Sequence, residues 1–440
     1  MATQPSDTSV YQGSDFRRLL PYPDRSLSLE QHRALYGPAS YRGAPQVLID
    51  EVRAAGLTGR GGAGFPTYRK LEAVLRAAGG AVVVANGAEG EPASCKDRTL
   101  LYSDPHLVLD GLQLAAEAVG ARQAYAYIHP DQRVLRRVRE AVAERVRAGV
   151  DRVPVTVVEA APRFIAGQET AVVHRIEGGL ALPRYAPLRV SERGIGGAAT
   201  LVQNVETLAH LALIADYGAG WFRAAGTSDE PGTLLATVHR PNATPRVIET
   251  APGAPLGELL GLDAATAAAG GGSAPRAVLI GGYHGTWLPA DRATALPLTN
   301  AALRAEGASL GAGVLAALPA DCCGLRETAR VVSYLAAESA GQCGPCLNGL
   351  PRIAHALRVL AGPGVHARER ADVSRWAGQI ERRGACHHPD GSIRLVRSAL
   401  TVFEEELWRH GQGMCVASND RAFLPLPSPM NPPRTDEDWR

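Results

Sequence analysis

Cysteine spacing near the carboxyl-terminal end of the sequence gives the clearest indication of chemistry. Cys343 and Cys346 form a C-x-x-C pair, and Cys386 follows 40 residues after the second of them. Glycine and proline residues flank the pair, which allows backbone N–H groups to face the sulfur atoms. Clustered cysteines of this kind hold a metal ion or an iron–sulfur cluster, or carry out redox chemistry.

Three interpretations of these cysteines are open. An iron–sulfur cluster would bind Cys343, Cys346 and Cys386, and it would either contain three irons or take a further ligand. The residues that could supply this ligand are His387, His388, Asp390, Cys322 and Cys323. Alternatively, Cys386 and His387 would complete a Cys3His zinc site, or the site has decayed and the three side chains are buried thiols.

A glycine-rich loop at residues 59–64 is a second candidate site. Its sequence GRGGAG fits the pattern G-x-G-x-x-G, but a helical pattern precedes it, whereas the dinucleotide fingerprint requires a preceding strand. Phe65 follows the last glycine and excludes a P-loop, which needs lysine there. The bare backbone of the loop can still approach a flat or phosphorylated ligand closely. Lys70 lies six residues further on, within reach of a phosphate.

A charged segment directly follows a predicted strand, at the end of the strand where open α/β sheets bind ligands. This segment, NGAEGEPASCKDR, brings together Asn86, Glu89 and Glu91 and also contains Lys96. Lys70 and Lys96 are the only two lysines among 46 basic residues. Because arginine replaces lysine almost everywhere else, a need for the compact ammonium group is indicated at both positions.

Length and composition exclude several classes of protein. A chain of 440 residues predicts roughly three domains. Its net charge of +2 argues against a general nucleic-acid binder, which needs a basic surface. No segment has the roughly 18 apolar residues of a transmembrane helix, and the N-terminal residues lack the features of a signal peptide. We therefore expect a cytoplasmic protein.

Alternating strand and helix patterns predict an α/β domain in the first half of the chain, with strands at 81–86, 124–128 and 153–159. A helical pattern prevails from residue 311 onward and predicts a small bundle. The predicted regions are an N-terminal arm over 1–45, an α/β domain over 46–225, a β-grasp-like module over 226–310, a helical domain over 311–415 and a tail over 416–440.

Five motifs occur in an order that resembles a known family. They are GRGGAGFPTYRK at 59–70, NGAEGEPASCKDR at 86–98, FIAGQET at 164–170, QNVETL at 203–208 and ESAGQCGPC at 338–346. Nearly the whole chain thereby resembles the NADH-oxidising flavoprotein (F) subunit of bacterial respiratory complex I, together with related NAD-linked hydrogenases and formate dehydrogenases. The β-grasp-like segment corresponds to the soluble-ligand-binding (SLBB) module of this family.

The resemblance implies that the α/β domain binds flavin mononucleotide (FMN) and NADH. The residues that would bind these cofactors are Gly59, Gly61, Gly62, Gly64, Phe65, Lys70, Asn86, Glu89, Glu91, Glu169, Asn204 and Thr207. Gly59, Gly61 and Lys70 would lie along FMN, with Asn204 and Thr207 at its phosphate side.

Five further residues have an implied position as well. Asn86 and Glu89 would lie near the ribityl and ring atoms of the flavin. Phe65 would stack on the nicotinamide or adenine of NADH, which Glu91 and Glu169 would contact.

The implied reaction explains why these cofactors occur together. NADH gives two electrons as hydride, whereas an iron–sulfur centre accepts one at a time, and a flavin can do both. The resemblance therefore implies an NADH dehydrogenase subunit that passes single electrons to a cluster. A partner, such as ferredoxin or another oxidoreductase subunit, would then receive them.

The helical domain would hold the cluster. In the resembling family, C-x-x-C-x-x-C and one distant cysteine supply four thiolates to a [4Fe–4S] cluster. Ala340 stands at the first of these positions here. The order, spacing and flanks of Cys343, Cys346 and Cys386 nevertheless favour the iron–sulfur interpretation over the zinc site.

Other departures concern the flavin. Ala88 stands where the family usually has aspartate, Gln168 replaces the first glutamate of a G-E-E-T motif, and Phe164 replaces a tyrosine. They favour a divergent paralogue over the complex I subunit itself. They also leave an alternative, a flavin-deficient docking subunit that keeps the fold and has a zinc or degenerate cysteine site.

Overall fold

A computed structural model gives the structure of the chain. It describes residues 16–23, 25–77, 80–262, 274–364, 367–415, 417, 421–427 and 435–440. Residues 1–15 of the predicted arm, and residues 416, 418–420 and 428–434 of the predicted tail, lie outside the described residues. Within the described part, no helix combines the length and the apolar character of a membrane-spanning segment.

Four parallel strands form the first sheet, in the order β3-β2-β1-β4. Their bounds are β1 Ala81–Gly87, β2 Ala121–Ile128, β3 Val155–Glu159 and β4 Ala199–Asn204. β1 and β4 are buried along almost their whole length, as expected for strands that are covered on both faces. β1, β2 and β3 coincide with strands that the sequence predicts, and β4 is an additional strand.

The strand order creates a switch point between β1 and β4. The chain moves from β1 to β2 and β3 on one side, and returns to place β4 on the other side of β1. In open α/β sheets a ligand crevice forms at such a point, beyond the carboxyl ends of the strands. The helices of this half are α1 Leu29–Tyr36, α2 Pro45–Ala55, α3 Thr67–Leu75, α4 Lys96–Ser103, α5 Pro105–Val119, α6 Gln132–Ala148, α7 Glu169–Ile176 and α8 Val205–Arg223.

The predicted polar arm is part of the folded core where it is described. Leu19 and Leu20 are buried in the same apolar cluster as β1 and α5. Their backbone N–H groups donate to Glu249 of the second sheet, at 2.9 and 3.3 Å. The arm therefore contributes to the core where it is described, because its two leucines bury apolar area.

Five strands form a second, mixed sheet in the order β6-β5-β9-β7-β8. Their bounds are β5 Leu234–His239, β6 Arg246–Thr250, β7 Ala277–Ile280, β8 Thr286–Pro289 and β9 Val314–Leu318, and the short helices beside them are α9 Leu256–Leu260, α10 Ala290–Thr294 and α11 Asn300–Ala305. β9 lies beyond residue 310, so the predicted onset of helical structure at 311 is wrong. A short apolar run such as VLAAL fits a buried strand and a buried helix equally well, and the pairing of β9 with β5 and β7 selects the strand.

The carboxyl-terminal part is helical. Its helices are α12 Gly324–Ala337, α13 Leu350–Leu360, α14 Ala367–Ile380, α15 His388–Val402 and α16 Glu404–Gly411, with a π-helical turn over Pro345–Gly349. Their apolar faces join one core cluster with Trp287 of β8. Described residues of the predicted tail also pack on the protein, since Trp439 is buried and its carbonyl accepts a hydrogen bond from Ala181 N at 2.7 Å.

Candidate functional site

Two asparagines lie side by side at the switch point. Asn86 at the end of β1 is paired in register with Asn204 at the end of β4. The Nδ2 atom of Asn86 donates to the carbonyl of Gly167 at 2.9 Å. Asn204 caps α8 through Oδ1, which accepts from Glu206 N at 3.0 Å, and its Nδ2 atom donates to Asp97 at 2.6 Å. The motifs at 86–98, 164–170 and 203–208 therefore meet at one place.

The glycine loop closes over this place and is held at its base. Gly59 N donates to Phe65 O at 2.8 Å, and Arg60 N donates to the buried hydroxyl of Thr207 at 2.8 Å. Glycine is needed at position 62, where φ is +104°, and at position 61, where a Cβ would lie 3.2 Å from Cβ of Asn204. Within the described structure, the backbone N–H groups of residues 61–64 donate no hydrogen bond. Consecutive free N–H groups in such a loop suit an anion.

A small cavity lies between the loop and the strand ends. It has a volume of about 180 Å³, and its lining includes Gly61, Asn86, Glu89, Glu91 and Asn204. This is less than the roughly 300 Å³ at which small-molecule pockets begin, so the cavity alone is too small for FMN.

A groove of about 1670 Å³ borders the same loop, with Phe65, Lys70 and Glu169 on its wall. The cavity and the groove share two segments, the glycine loop and residues 167–169. Together, the free N–H groups, the Lys70 ammonium and these two spaces fit a phosphorylated flavin with a second nucleotide beside it.

Glu89 is engaged within the protein. Its carboxylate accepts hydrogen bonds from the Ser94 hydroxyl at 2.6 Å and from the backbone N–H groups of Asp97 and Arg98 at 3.0 and 3.1 Å. The Arg98 side chain contributes a further bond at 3.3 Å. These donors include the first turn of α4, whose N–H groups lack helical partners. Glu89 thus fixes the loop against α4 while one side of it faces the cavity.

Glu91 connects the α/β domain to the second sheet. It is buried, and it accepts hydrogen bonds from Tyr283 N at 2.7 Å and Ala93 N at 3.2 Å. Burial raises the pKa of Glu91 to about 7, although the two N–H donors favour its charged form. The carboxyl group therefore gains or loses its proton near neutral pH.

Lys96 and Lys70 have different surroundings. Lys96 is buried, and its Nζ atom lies 2.6 Å from Asp97 and 2.9 Å from Glu206. Burial opposes its charge, but these carboxylates outweigh burial and raise the pKa of Lys96. Lys96 therefore ties α4 to α8, whereas Lys70 presents its ammonium group to the groove.

The three motif cysteines are close enough to affect one another electrostatically. Cys346 is buried, and Cys343 and Cys386 are half-buried. Burial, followed by the negative charges of Cys343 and Cys386, raises the pKa of Cys346 to about 12. Because the three thiolates repel one another, a cation or an iron–sulfur core among them would be stabilising. Their sulfur atoms do not all lie within 4.8 Å of one another, so the donor set fits a multi-iron cluster rather than a single shared ion.

Among the further ligands that the sequence leaves open, His388 and Cys323 are engaged with other groups. His388 is buried with Nε2 2.8 Å from Leu335 O and Nδ1 3.1 Å from His284. Cys323 contacts Glu406 and His410 in another part of the helical domain.

The His387 ring is fully exposed, with Nδ1 3.7 Å from the Asp390 carboxylate. It lies on the wall of the groove with Gln342 and Ala385, the sequence neighbours of Cys343 and Cys386. One groove therefore extends from the glycine loop to the cysteine motif.

The departures from the family pattern are accommodated without strain. Ala88 is buried in an apolar cluster beneath the cavity. Gln168 caps α7, with its side-chain oxygen 2.8 Å from Thr170 N. Phe164 packs between His284 and His388, at ring-centroid distances of 4.7 and 5.6 Å. Nothing in the sequence alone indicates the contact of Asp97 with Asn204, because it depends on the adjacency of β1 and β4.

Two family profiles match the chain. The Nuo51 FMN-binding domain matches residues 52–213, and the NADH-ubiquinone oxidoreductase-F iron–sulfur binding region matches residues 326–410. These ranges contain the glycine loop and the cysteine motif, respectively.

Individual relatives and solved structures agree with these profiles. The F subunit of NADH-quinone oxidoreductase from Streptomyces coelicolor is 32% identical over 89% of both chains. The F 2 subunit of the enzyme from Rhizobium meliloti is 31% identical over 83% of this chain and 89% of its own.

Two crystal structures of NAD⁺-reducing [NiFe]-hydrogenase are also similar. The air-oxidised state is 30% identical with a TM-score of 0.76, and the H2-reduced state is 30% identical with a TM-score of 0.75. The match covers 89% and 83% of this chain but spans only 66% and 63% of the hydrogenase chains. Because it is 32% identical to the Streptomyces coelicolor subunit along 89% of both sequences, the chain belongs to the family of NADH-quinone oxidoreductase F subunits.

Proposed function

We propose that the protein is an NADH-oxidising flavoprotein subunit, an NADH dehydrogenase that passes electrons singly through an iron–sulfur cluster to a partner. The groove carries this proposal, because it joins the free N–H groups of the glycine loop and Lys70 at one end to the cysteine motif at the other. A flavin bound at the loop supplies the conversion between hydride transfer and single-electron transfer. The protein's own task is to bind, orient and separate the reactants.

The residues at the loop have distinct tasks in this proposal. The N–H groups of 61–64 and the Lys70 ammonium hold the FMN phosphate, and Thr207 fixes the loop through Arg60 N. Asn86 and Glu89 line the small cavity, which together with the adjoining groove receives the flavin. Phe65, 39% exposed on the groove wall, offers a ring face on which a base of NADH can stack.

Cys343, Cys346 and Cys386 bind the cluster, with His387 as its fourth ligand. His387 follows Cys386 directly, its ring is exposed, and it shares the groove wall with a neighbour of Cys343. Imidazole replaces thiolate at iron in some biological clusters. This ligand set compensates for Ala340, and the cluster is of the [4Fe–4S] type.

The second sheet with its three short helices is the SLBB-like β-grasp module. Its contact with the α/β domain through Glu91 and Tyr283 N supports a role in positioning the 86–98 loop. A further oxidoreductase subunit or a ferredoxin accepts the electrons. A cytoplasmic location fits the seven cysteines, which are all free in the structure.

Steady-state turnover tests this function. The protein, reconstituted anaerobically with FMN, iron and sulfide, is expected to oxidise NADH with ferricyanide as the electron acceptor. Omission of FMN from the reconstitution should abolish the activity. Ala88, Gln168 and Ala340 together favour a second function, that of a docking subunit without flavin, and this candidate predicts no NADH oxidation under either condition.

A further inference from the structure

A second cluster of metal-binding side chains lies apart from the cysteine motif. The ligand atoms of Cys323, His410 and Cys415 all lie within 4.8 Å of one another, and this is the one group of its kind among the described residues. Cys323 caps the N-terminus of α12, His410 lies in the last turn of α16, and Cys415 follows that helix. Cys323 and His410 are buried, and Cys415 is half-buried.

The distances in the cluster match those of a tetrahedral zinc site. The Nε2 atom of His410 lies 3.6 Å from Sγ of Cys323 and 3.3 Å from Sγ of Cys415. Zinc bonds of about 2.3 Å to sulfur and about 2.0–2.1 Å to nitrogen, at tetrahedral angles, place these atoms about 3.6 Å apart. The imidazole nitrogen therefore already lies at the separation from each sulfur atom that a shared zinc ion requires.

The imidazole of His410 is oriented as in known metal sites. Its Nδ1 atom lies 3.0 Å from the carbonyl oxygen of Leu360. Because a carbonyl only accepts hydrogen bonds, Nδ1 carries the ring proton and donates a hydrogen bond to it. The lone pair of Nε2 then points towards the two sulfur atoms. A backbone carbonyl that fixes the ring through its other nitrogen is the usual partner of a zinc-bound histidine.

Glu406 and two backbone groups complete the surroundings. The buried Glu406 carboxylate accepts from the Cys323 thiol, with Oε2 3.2 Å from Sγ, and pairs with Arg276 through Oε1 at 3.1 Å, so it holds Cys323 in place beside the cluster. The N–H groups of Arg326 and Ala417 each donate to a cysteine sulfur at 3.4 Å. Such N–H donors stabilise negative charge on sulfur.

We propose that Cys323, His410 and Cys415 bind a structural zinc ion. Two of these ligands are buried and the third is half-buried, so the ion would lie away from solvent, as structural zinc ions do. The ion fastens the end of α16 and the segment after it to the start of α12, the helix that leads to the 338–346 motif. This site is independent of the flavin and of Cys343, Cys346 and Cys386.

The test is metal analysis of the full-length chain, supported by cobalt substitution. Zinc and iron are measured for the unaltered protein, for Cys323→Ser and for Cys415→Ser. Cys322→Ser is the matched control, because Cys322 is equally buried beside Cys323 but contacts Asp321 and the Arg421 carbonyl instead. We expect one zinc ion per chain in the unaltered protein and the control, its loss in the two test variants, and unchanged iron in all four.

Cobalt(II) gives a readout that does not depend on how the variants fold. Bound to the unaltered protein in place of zinc, it should show thiolate charge-transfer absorption and tetrahedral d–d bands, which zinc displaces. Zinc that stays at the same level in Cys415→Ser would overturn the proposal. A reduced protein that gives no cobalt–thiolate bands, or a disulfide between Cys323 and Cys415 in a chain that takes up no zinc after reduction, would do so as well.

Discussion

Lys70 and Glu169 face each other at one end of the groove, with Nζ of Lys70 3.1 Å from Oε1 of Glu169. The Nζ atom also donates to the carbonyl of Val202 on β4 at 3.3 Å. Both side chains are about one-third exposed, and exposed ion pairs contribute little to stability. The ion pair therefore contributes little to the stability of the fold. Its main effect is to hold the Lys70 ammonium group beside the glycine loop, where a phosphate can compete with Glu169 for it.

Replacement of Lys70 should weaken flavin binding. In Lys70→Ala the loop keeps its N–H groups but loses the ammonium group, and we expect FMN affinity to fall roughly tenfold or more, the size of one charge-assisted hydrogen bond. Fluorescence titration with FMN measures this. Arg139→Ala is the matched control, because it removes another exposed ion pair, with Glu159 at 3.6 Å, on α6. Equal affinities in Lys70→Ala and the control would refute the role of Lys70.

Loss of a cluster cysteine should remove the iron–sulfur cluster without affecting the flavin. Cys386→Ser is expected to lower iron and sulfide to background while FMN content stays unchanged, because the flavin residues lie on other elements. Chemical analysis of the reconstituted protein provides the measurement, with Cys95→Ser in the α/β domain as the control. Full iron content in Cys386→Ser would remove this residue from the ligand set.

The fourth ligand can be tested with a pair of variants. His387→Ala should reduce the iron content, since only three thiolates would remain. In the background Ala340→Cys, which restores a fourth thiolate, the same replacement should have little effect. Iron analysis of the two single variants and the double variant checks this, and iron that is unaffected by His387→Ala alone would contradict the assignment.

Glu91 should make folding stability depend on pH below neutrality. Its pKa is raised from 4.5 to about 7 in the folded state by burial, so the folded protein holds a proton that the unfolded chain has released. Stability should therefore fall as the pH rises from 4.5 to 7, by at most about 3.5 kcal/mol at about 1.4 kcal/mol per pKa unit. Urea unfolding across this pH range should show a smaller decrease in the free energy of unfolding for Glu91→Gln than for the unaltered protein. The same pH dependence in both proteins would argue against titration of Glu91 in this range.

His32 should make folding stability depend on pH in a higher range than Glu91 does. It bridges Asp104 and Asp110, with its ring nitrogens 3.0 and 2.9 Å from their carboxylates. Burial opposes protonation, but these hydrogen bonds and charges outweigh burial and raise the pKa of His32 from 6.5 to about 9. The stabilisation is complete below pH 6.5 and is lost as pH rises through about 9, by up to about 3.5 kcal/mol.

Unfolding of the unaltered protein and of His32→Gln at pH 6 and pH 9.5 measures this contribution. The unaltered protein should lose more stability between the two pH values than the variant does. A decrease of the same size in both proteins would show that another group titrates.

Local patterns predict the first sheet better than the second. β1, β2 and β3 are short apolar runs between helical segments, so alternation alone indicates them. β9 is not predictable as a strand because its five residues fit either structure, and only its pairing with β5 and β7 decides. The buried leucines of the arm are obscured by the polar residues around them.

Sites made of residues close in sequence are easier to predict than sites assembled by the fold. The glycine loop and the C-x-x-C pair are each contained within a few residues. By contrast, Cys323 and His410 are 87 residues apart, and their contact depends on how α12 packs against α16. The role of Lys96 likewise depends on Glu206, which is 110 residues away in sequence.

Electron transfer from NADH through flavin to the cluster is tested most directly by an anaerobic visible absorption spectrum of the reconstituted protein, recorded before and after addition of NADH. We expect flavin bands with a broad iron–sulfur shoulder, and NADH should bleach both. A protein that remains colourless after reconstitution with FMN, iron and sulfide, or whose flavin bands do not respond to NADH, would contradict this electron-transfer function.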